Sequence, residues 1–192
     1  MSTVAEALRG ALDSPTPDPE VADGVPAAVV VPVLDGPVPR ILLTRRSEAV
    51  GTHKGEISFP GGVRHAEDSD LLATALRETR EELGIPGEAF DILGRLPSTH
   101  TVVSGYVIVP FVGILARRPP MVPSPVEIAE VLEVDLDRLL RAEQEVVVDG
   151  RPGGGWFAYE VDGNTVWGAT GRIVHGFLEI LRTQGWVPAG EG

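Results

Sequence analysis

One segment of the chain combines a helical apolar stripe with three closely spaced carboxylates. Glu81 and Glu82 follow Glu78 by three and four residues, the spacing at which side chains share one face of a helix. Apolar residues recur through the same segment at Leu71, Leu72, Ala75, Leu76 and Leu83. We therefore expect a helix that buries its apolar stripe and leaves the acids on an opposite, solvated face.

The three carboxylates repel one another unless a positive charge lies between them. Carboxylate oxygens suit hard divalent cations, and Mg²⁺ sites usually combine a few carboxylates with waters and substrate phosphates. The pattern therefore indicates a site for Mg²⁺ or Mn²⁺. The alternative that this spacing alone leaves open is an acidic helix face that meets only solvent.

The residues before this segment supply a turn and a helix start. Residues 59–62 read Phe-Pro-Gly-Gly, and glycines in such a turn allow positive φ and close approach of the backbone to a ligand. Asp68, Ser69 and Asp70 offer N-caps to the helix. In this order the turn, the capped helix, its acids and Gly84 resemble the Nudix box, G-x5-E-x7-R-E-U-x-E-E-x-G-U, where U is apolar.

The match to the box has departures near its start. Counted back from Arg77, the pattern places Gly at 63 and Glu at 69, where the chain has Val and Ser. One inserted residue would give these roles to Gly62 and to Asp68 or Glu67, and the acid would then orient the loop by pairing with Arg77. Thr79 also occupies a position where the pattern has an apolar residue.

A second resemblance lies just upstream of the box. Residues 42–62 are similar to the signature of coenzyme A pyrophosphatases within the Nudix hydrolases, L-L-T-x-R-S-x3-R-x3-G-x3-F-P-G-G. The signature has a second arginine where this chain has Gly51. His53, Lys54 or Arg64 is then expected to supply the missing charge.

The likeness extends to residues 105–114 and 166–170, and covers about residues 25–184. It implies an α/β/α sandwich with a mixed β-sheet, the Nudix fold, with the box helix packed on the sheet. Apolar patterning agrees with this fold class. It predicts strands at 25–34, 41–43, 90–96, 106–115, 145–148 and 156–161, helices at 135–141 and 170–183, and a polar loop at 97–104.

The resemblance implies a hydrolase that acts on an acid anhydride. Its expected reaction is metal-dependent cleavage of the diphosphate in coenzyme A or acyl-coenzyme A, giving 3′,5′-ADP and 4′-phosphopantetheine or its acylated form. A general base is expected at Glu127, where the family carries a Glu-Val pair, with Glu130 as second choice. The resemblance assigns metal binding to Glu78, Glu81 and Glu82, catalysis to Glu127, Glu81 and Arg77, and substrate binding to Arg46, His53, Lys54, Gly61 and Gly62.

Two other functions remain open at this point. One is a Nudix hydrolase with another small nucleoside diphosphate-linked substrate, such as ADP-ribose, a dinucleotide or a nucleoside triphosphate, and Gly51 keeps this alternative alive. The other is a non-catalytic nucleotide-binding module. An eroded box would favour the module, whereas this chain keeps all three box acids.

Length and charge bound the remaining expectations. The 192 residues and 43% hydrophobic content favour one domain, assigned to residues 25–187, after a proline-rich and partly flexible arm at 1–24. A net charge of -12 disfavours nucleic acid as a partner. The absence of cysteine excludes disulfides and thiol nucleophiles. No segment has the length and apolarity of a membrane span, so we expect a cytoplasmic protein, with homodimerisation as a further family trait.

Overall fold

The structure is a computed structural model that describes residues 3–21, 23–48, 55–101, 105–146 and 156–186. Within those residues, eight strands form one mixed sheet. They are β1 (Val25–Leu34), β2 (Arg40–Arg46), β3 (Ile57–Ser58), β4 (Gly61–Val63), β5 (Asp91–Arg95), β6 (Thr99–His100), β7 (Tyr106–Leu115) and β8 (Ile128–Asp135).

The sheet is built around a long parallel pair. Strand β1 runs parallel to β7 in continuous register from Val25 opposite Tyr106 to Leu34 opposite Leu115. The central order is β3–β2–β1–β7–β5, and β4, β6 and β8 pair antiparallel with β1, β7 and β2. Both central strands are almost entirely buried, as expected for apolar runs covered on two faces.

Helices cover the two faces of this sheet. The remaining elements are α1 (Val4–Leu8), α2 (Leu71–Leu83), α3 (Leu136–Ala142), α4 (Gly168–Thr183), a short 3-10 helix (Gly87–Ala89) and a small antiparallel sheet of β9 (Glu143–Val146), β10 (Trp156–Val161) and β11 (Asn164–Val166). Helix α2 packs on one face through its own apolar cluster, and α1, α3, α4 and the small sheet share a second cluster on the other face. The predicted α/β/α sandwich with a mixed sheet is confirmed.

The sequence missed strand β8, which pairs along β2. Acidic residues interrupt its apolar pattern, and they are neutralised by arginines from elsewhere in the fold. Glu130 forms an ion pair with Arg45, and Glu133 forms one with Arg40. Such cross-strand pairing is a property of the assembled sheet, so a pattern-based search did not find the strand.

The N-terminal arm differs from the expected appendage. The side chains of Val4 and Leu8 are fully buried in the cluster that contains α4. The structure also joins Asp13 to Arg95 by backbone hydrogen bonds of 3.3 and 3.0 Å. Apolar residues in this short helix thus extend the core, and the boundary at residue 24 does not separate the arm from the domain in packing.

Other predictions concern segment ends and membranes. Helix α4 begins at Gly168, two residues before the predicted start, and β6 lies within the predicted loop. The expected positions Gly51, His53 and Lys54 lie outside the described residues. In the described part of the chain, every helix is too short or too polar to cross a membrane.

Candidate active site

Local caps fix the ends of α2. The carboxylate of Asp70 accepts the N–H of Ala73 at 2.7 Å, and Gly84 ends the helix at φ +71°, donating its N–H to the Arg80 carbonyl at 2.9 Å. Thr79, the departure from the apolar pattern, is fully buried. Its hydroxyl donates to the Ala75 carbonyl at 2.7 Å, so the helix backbone satisfies this polar group in the core.

Residues 59–62 were predicted as a turn, but Gly61 and Gly62 begin strand β4, which pairs with β1 beneath α2; this segment is called the glycine turn below. Gly61 has φ +152°, and a Cβ added there would lie 2.3 Å from the carbonyl oxygen of Ala28. A Cβ added at Gly62 would lie 2.6–2.8 Å from the carboxyl atoms of Glu78. Only glycine therefore allows this strand, this turn and the Glu78 carboxylate to approach so closely.

Glu82 lies on the side of α2 that faces the glycine turn, and it is only 4% exposed. Its Oε2 accepts the N–H of Gly61 at 3.2 Å, and its Oε1 lies 3.7 Å from Nη1 of Arg46. Burial raises the pKa of Glu82 to about 7, the Gly61 hydrogen bond and Arg46 oppose the rise, and the charges of Glu78 and Glu127 add to it.

The expectation that all three acids lie on a solvated face is therefore wrong for Glu82. The side chain of Glu81 is 57% exposed, that of Glu78 is 18% exposed and that of Glu82 is 5% exposed. Residues 78 and 82 lie one turn apart on the side of the helix that the glycine turn covers. The position of this turn in space decides their burial.

The resemblance offered Asp68 or Glu67 as the partner of Arg77, and Asp68 forms this pair. Its two carboxylate oxygens accept hydrogen bonds from Nε and Nη2 of Arg77 at 2.9 and 3.0 Å, so the contact is bidentate. The hydrogen bonds from Arg77 outweigh burial and hold the pKa of Asp68 well below its usual range. Arg77 also donates from Nη1 to Glu78 at 2.8 Å and to Glu81 at 3.3 Å, so one guanidinium orients two of the three box acids.

Arg46 lies at the end of β2 with its guanidinium beside Glu82. Its Nε is buried and, among the described residues, has no hydrogen-bond partner. A buried N–H group without a partner is costly, and a bound anion is one way to satisfy it. The contact with Glu82 does not satisfy this group.

Three backbone hydrogen bonds connect Glu127 to this arrangement. Ser47, which follows β2, donates its N–H to the Glu127 carbonyl at 2.8 Å. Ser124 donates its N–H to the Glu82 carbonyl at 2.8 Å, and a turn closes from Ser124 to Glu127 at 3.1 Å. Glu130, the second choice for the base, is instead paired with Arg45.

The structure thus brings Glu78, Glu82 and Arg46 together beside Gly61 and Gly62, with Glu81 at the exposed edge and the charge of Glu127 near enough to raise the pKa of Glu82. In the described ranges no three His, Asp or Glu side chains already surround one point as a formed metal cluster. Arg77 holds two of the acids and the turn holds the third. The donor set still fits a hard cation, because it offers carboxylate oxygens and includes a buried one with a raised pKa.

Comparisons with known proteins agree with this geometry. The family model described as the NUDIX domain matches residues 24–151. A protein of Photorhabdus laumondii, described as an uncharacterized Nudix hydrolase, NudL, is 34% identical over 171 residues, which cover 87% of this chain and 91% of that protein. A protein of the same description from Cronobacter sakazakii is 38% identical over 155 residues, covering 77% and 78%.

Solved structures show the same fold at low sequence identity. The MutT/nudix family protein from Enterococcus faecalis is 15% identical with a TM-score of 0.57, covering 87% of this chain and 66% of its own. The Nudix hydrolase RenU from M. smegmatis is 14% identical with a TM-score of 0.56, covering 88% and 90%.

Proposed function

The chain belongs to the Nudix hydrolase family, and we propose that it hydrolyses the diphosphate linkage of coenzyme A or acyl-coenzyme A in a reaction that depends on Mg²⁺ or Mn²⁺. The products are 3′,5′-ADP and 4′-phosphopantetheine or its acylated form. The observation that carries the proposal is the buried Glu82 carboxylate, held between the Gly61 N–H and Arg46 beside two further glutamates.

Glu78, Glu81 and Glu82 are the residues that would hold the metal. A hard cation held there would supply charge neutralisation for the diphosphate and activation of water. Arg77 acts as a positioning residue for this set, because it holds two of the acids and is itself fixed by Asp68. The glycine turn contributes by leaving room for the Glu78 carboxylate where any side chain would collide.

Arg46 and Glu127 supply the remaining polar groups. The guanidinium of Arg46 has a buried N–H available for a phosphate oxygen, and its charge offsets the negative charge of the substrate. Glu127 takes a proton from the attacking water as general base. Its backbone is fixed to the end of β2 and, through Ser124, to the end of α2, so the base is carried by two rigid elements.

The choice of coenzyme A is supported by the signature in residues 42–62. The described parts of this segment belong to β2, β3 and the glycine turn, and Arg46 and Gly61 from it contact Glu82 of the box. Thr44 of the signature is fully buried, and its hydroxyl donates to the Ser58 carbonyl at 3.1 Å, which joins β2 to β3. The signature thereby positions Arg46 and the turn together.

A second candidate is another diphosphate, such as ADP-ribose, a dinucleotide or a nucleoside triphosphate. The specific observation in its favour is Gly51, where the coenzyme A signature has an arginine. The expected substrate-binding residues His53 and Lys54 lie in the same segment, outside the described residues. Their role stays a prediction.

The proposal is tested by mass spectrometry of products from coenzyme A, acetyl-coenzyme A, ADP-ribose, NADH and dATP, each with Mg²⁺, with Mn²⁺ and with a chelator. We expect metal-dependent release of 3′,5′-ADP from the coenzyme A substrates well ahead of all other turnovers. Glu82→Gln should lower this release by about a thousandfold, and Glu88→Gln, at an exposed acid on another surface, should retain it.

Two results would contradict the proposal in different ways. Cleavage of only ADP-ribose, NADH or dATP would assign another substrate to the same machinery. No turnover of any compound, with folded protein and with metal present, would reject hydrolysis of these diphosphates altogether.

A further inference from the structure

A residue outside the matched family domain contacts the loop that leads into α2. Asp18 precedes residues 24–151, which match the family model. Its carboxylate accepts the N–H of Leu71 at 3.0 Å and Nη1 of Arg64 at 3.2 Å. Leu71 is the first residue of α2, so Asp18 joins the start of the box helix to the strand end before it.

Arg64 ties the same loop from its other end. Its backbone N–H donates to the Pro26 carbonyl on β1 at 3.0 Å. Its Nη2 donates to the Ser69 carbonyl at 3.1 Å and to the Asp68 carbonyl at 3.4 Å. Asp18 and Arg64 therefore close residues 64–71 into a loop fixed at both ends.

The loop carries the acid that orients Arg77. Within it, the Asp68 carboxylate accepts the His65 N–H at 2.9 Å and the Thr74 hydroxyl at 2.9 Å, in addition to Arg77. Arg77 in turn contacts Glu78 and Glu81. A continuous series of hydrogen bonds thus runs from the N-terminal segment to two of the box acids.

We infer that Asp18 is a positioning residue for the active site. With Arg64, it holds the 64–71 loop in the conformation that brings Asp68 to Arg77, and so it orders the box acids from outside the residues that match the family model. The inference rests on the proposed function where it concerns activity, and on the hydrogen-bond series alone where it concerns the loop.

Two carboxylates accept different backbone N–H groups at the start of α2. The Asp70 carboxylate accepts the N–H of Ala73 at 2.7 Å, and the Asp18 carboxylate accepts the N–H of Leu71 at 3.0 Å. Both place negative charge at the positive end of the helix dipole. A variant of Asp18 keeps the Asp70 cap, so we expect the helix to form while its link to Arg64 is lost.

The first test is amide hydrogen exchange of the metal-free protein in Asp18→Ala, Asp18→Asn and the matched control Asp35→Ala. Asp35 accepts the N–H groups of Val4 and Ala5 at 3.3 and 3.4 Å, so it also ties the arm to the domain but does not touch the loop. In Asp18→Ala the Leu71 amide should exchange about five- to tenfold faster, the effect of losing one cap. The control should leave it unchanged.

The second test is Mn²⁺ binding without substrate, followed by turnover. We expect Asp18→Ala to weaken Mn²⁺ binding by about tenfold, the size of effect seen when residues that support metal ligands are lost. Asp18→Asn should recover most of the affinity, because its amide oxygen can accept both hydrogen bonds. Turnover in Asp18→Ala should recover when Mn²⁺ is raised, which a partly unfolded protein would not show.

Wild-type exchange at Leu71 in Asp18→Ala, or equal acceleration in Asp18→Ala and Asp35→Ala, would overturn the inference. Unchanged Mn²⁺ affinity in Asp18→Ala would overturn the link to the box acids. If no diphosphate is cleaved while Leu71 exchange rises only in the Asp18 variants, the loop inference stands and the proposed function fails.

Discussion

Two largely buried glutamates lie in polar surroundings that act oppositely on their pKa values. Glu143, at the start of β9, accepts the Tyr159 hydroxyl at 2.6 Å and Arg182 Nη1 at 3.0 Å, and lies 3.1 Å from His175 Nδ1. Burial raises the pKa of Glu143, but these hydrogen bonds outweigh burial and lower it. For Glu82 burial dominates, and its pKa rises to about 7.

The difference separates a carboxylate that the fold itself satisfies from one that we propose binds a metal. Around Glu143 the chain itself supplies donors and positive charge, so the carboxylate is satisfied and joins β9 to β10 and α4. Around Glu82 the chain supplies one backbone N–H and an arginine 3.7 Å away, and adds two like charges. Such a carboxylate is suited to a bound cation.

The largest expected effect is at Glu82. Glu82→Gln should lower kcat/KM by about a thousandfold, the upper range for removing one preorganised electrostatic group. Its thermal midpoint at neutral pH should equal or exceed that of the wild type, because a neutral amide avoids burying a charge. Thermal unfolding and steady-state kinetics measure the two quantities. Wild-type kinetics in this variant would contradict a role for Glu82 in the active site.

The next effect separates Glu127 from Glu130. Glu127→Gln should lower kcat by about a hundredfold, as expected for loss of a general base. Glu130→Gln breaks only a half-exposed pair with Arg45 and should leave kcat within about twofold, since such pairs contribute little. Equal losses in the two variants would argue against Glu127 as the base.

Glu143→Ala should affect stability and not chemistry. It leaves the buried Tyr159 hydroxyl without its acceptor, which should lower the free energy of unfolding by about 1–3 kcal/mol. Denaturant titration measures this loss, and kcat/KM of the folded variant should match the wild type. A large loss of kcat/KM at unchanged stability would reverse the assignment of the two glutamates.

The smallest effect is the pH dependence that Glu143 contributes. Its pKa is lowered in the folded protein, so its stabilisation is present above the unfolded-state value of 4.5 and is lost as pH falls below it towards the folded-state pKa. The stability difference between wild type and Glu143→Gln should therefore shrink as pH falls below 4.5. Denaturant titrations at several pH values measure this, and a difference that grows towards acid would contradict the sign.

The sequence predicted the central strands and the residues of the candidate site, but it did not predict which of the site's acids are buried. Long apolar runs in 25–34 and 106–115 coincide with β1 and β7, because central strands covered on two faces need continuous apolar residues. The Nudix-box resemblance implied that Asp68 or Glu67 pairs with Arg77, and the structure shows Asp68 in this pair. These features are local, or follow directly from the order of residues.

The missed features depend on contacts between distant segments. The burial of Glu82 depends on Gly61, which is 21 residues earlier in the chain. The role of Asp18 depends on a contact 53 residues away at Leu71. Neither contact has a periodic or motif signal, so only the folded arrangement reveals them.

The most direct test of the contrast is a carboxyl ¹³C NMR titration of the glutamates, with and without Mg²⁺, in which Glu82→Gln and Glu143→Gln assign the two signals. The account predicts that Glu82 titrates near pH 7 without metal and at lower pH with Mg²⁺, whereas Glu143 titrates below 4.5 in both conditions. A Glu82 signal that titrates near its ordinary value of 4.5 and ignores Mg²⁺ would contradict the account.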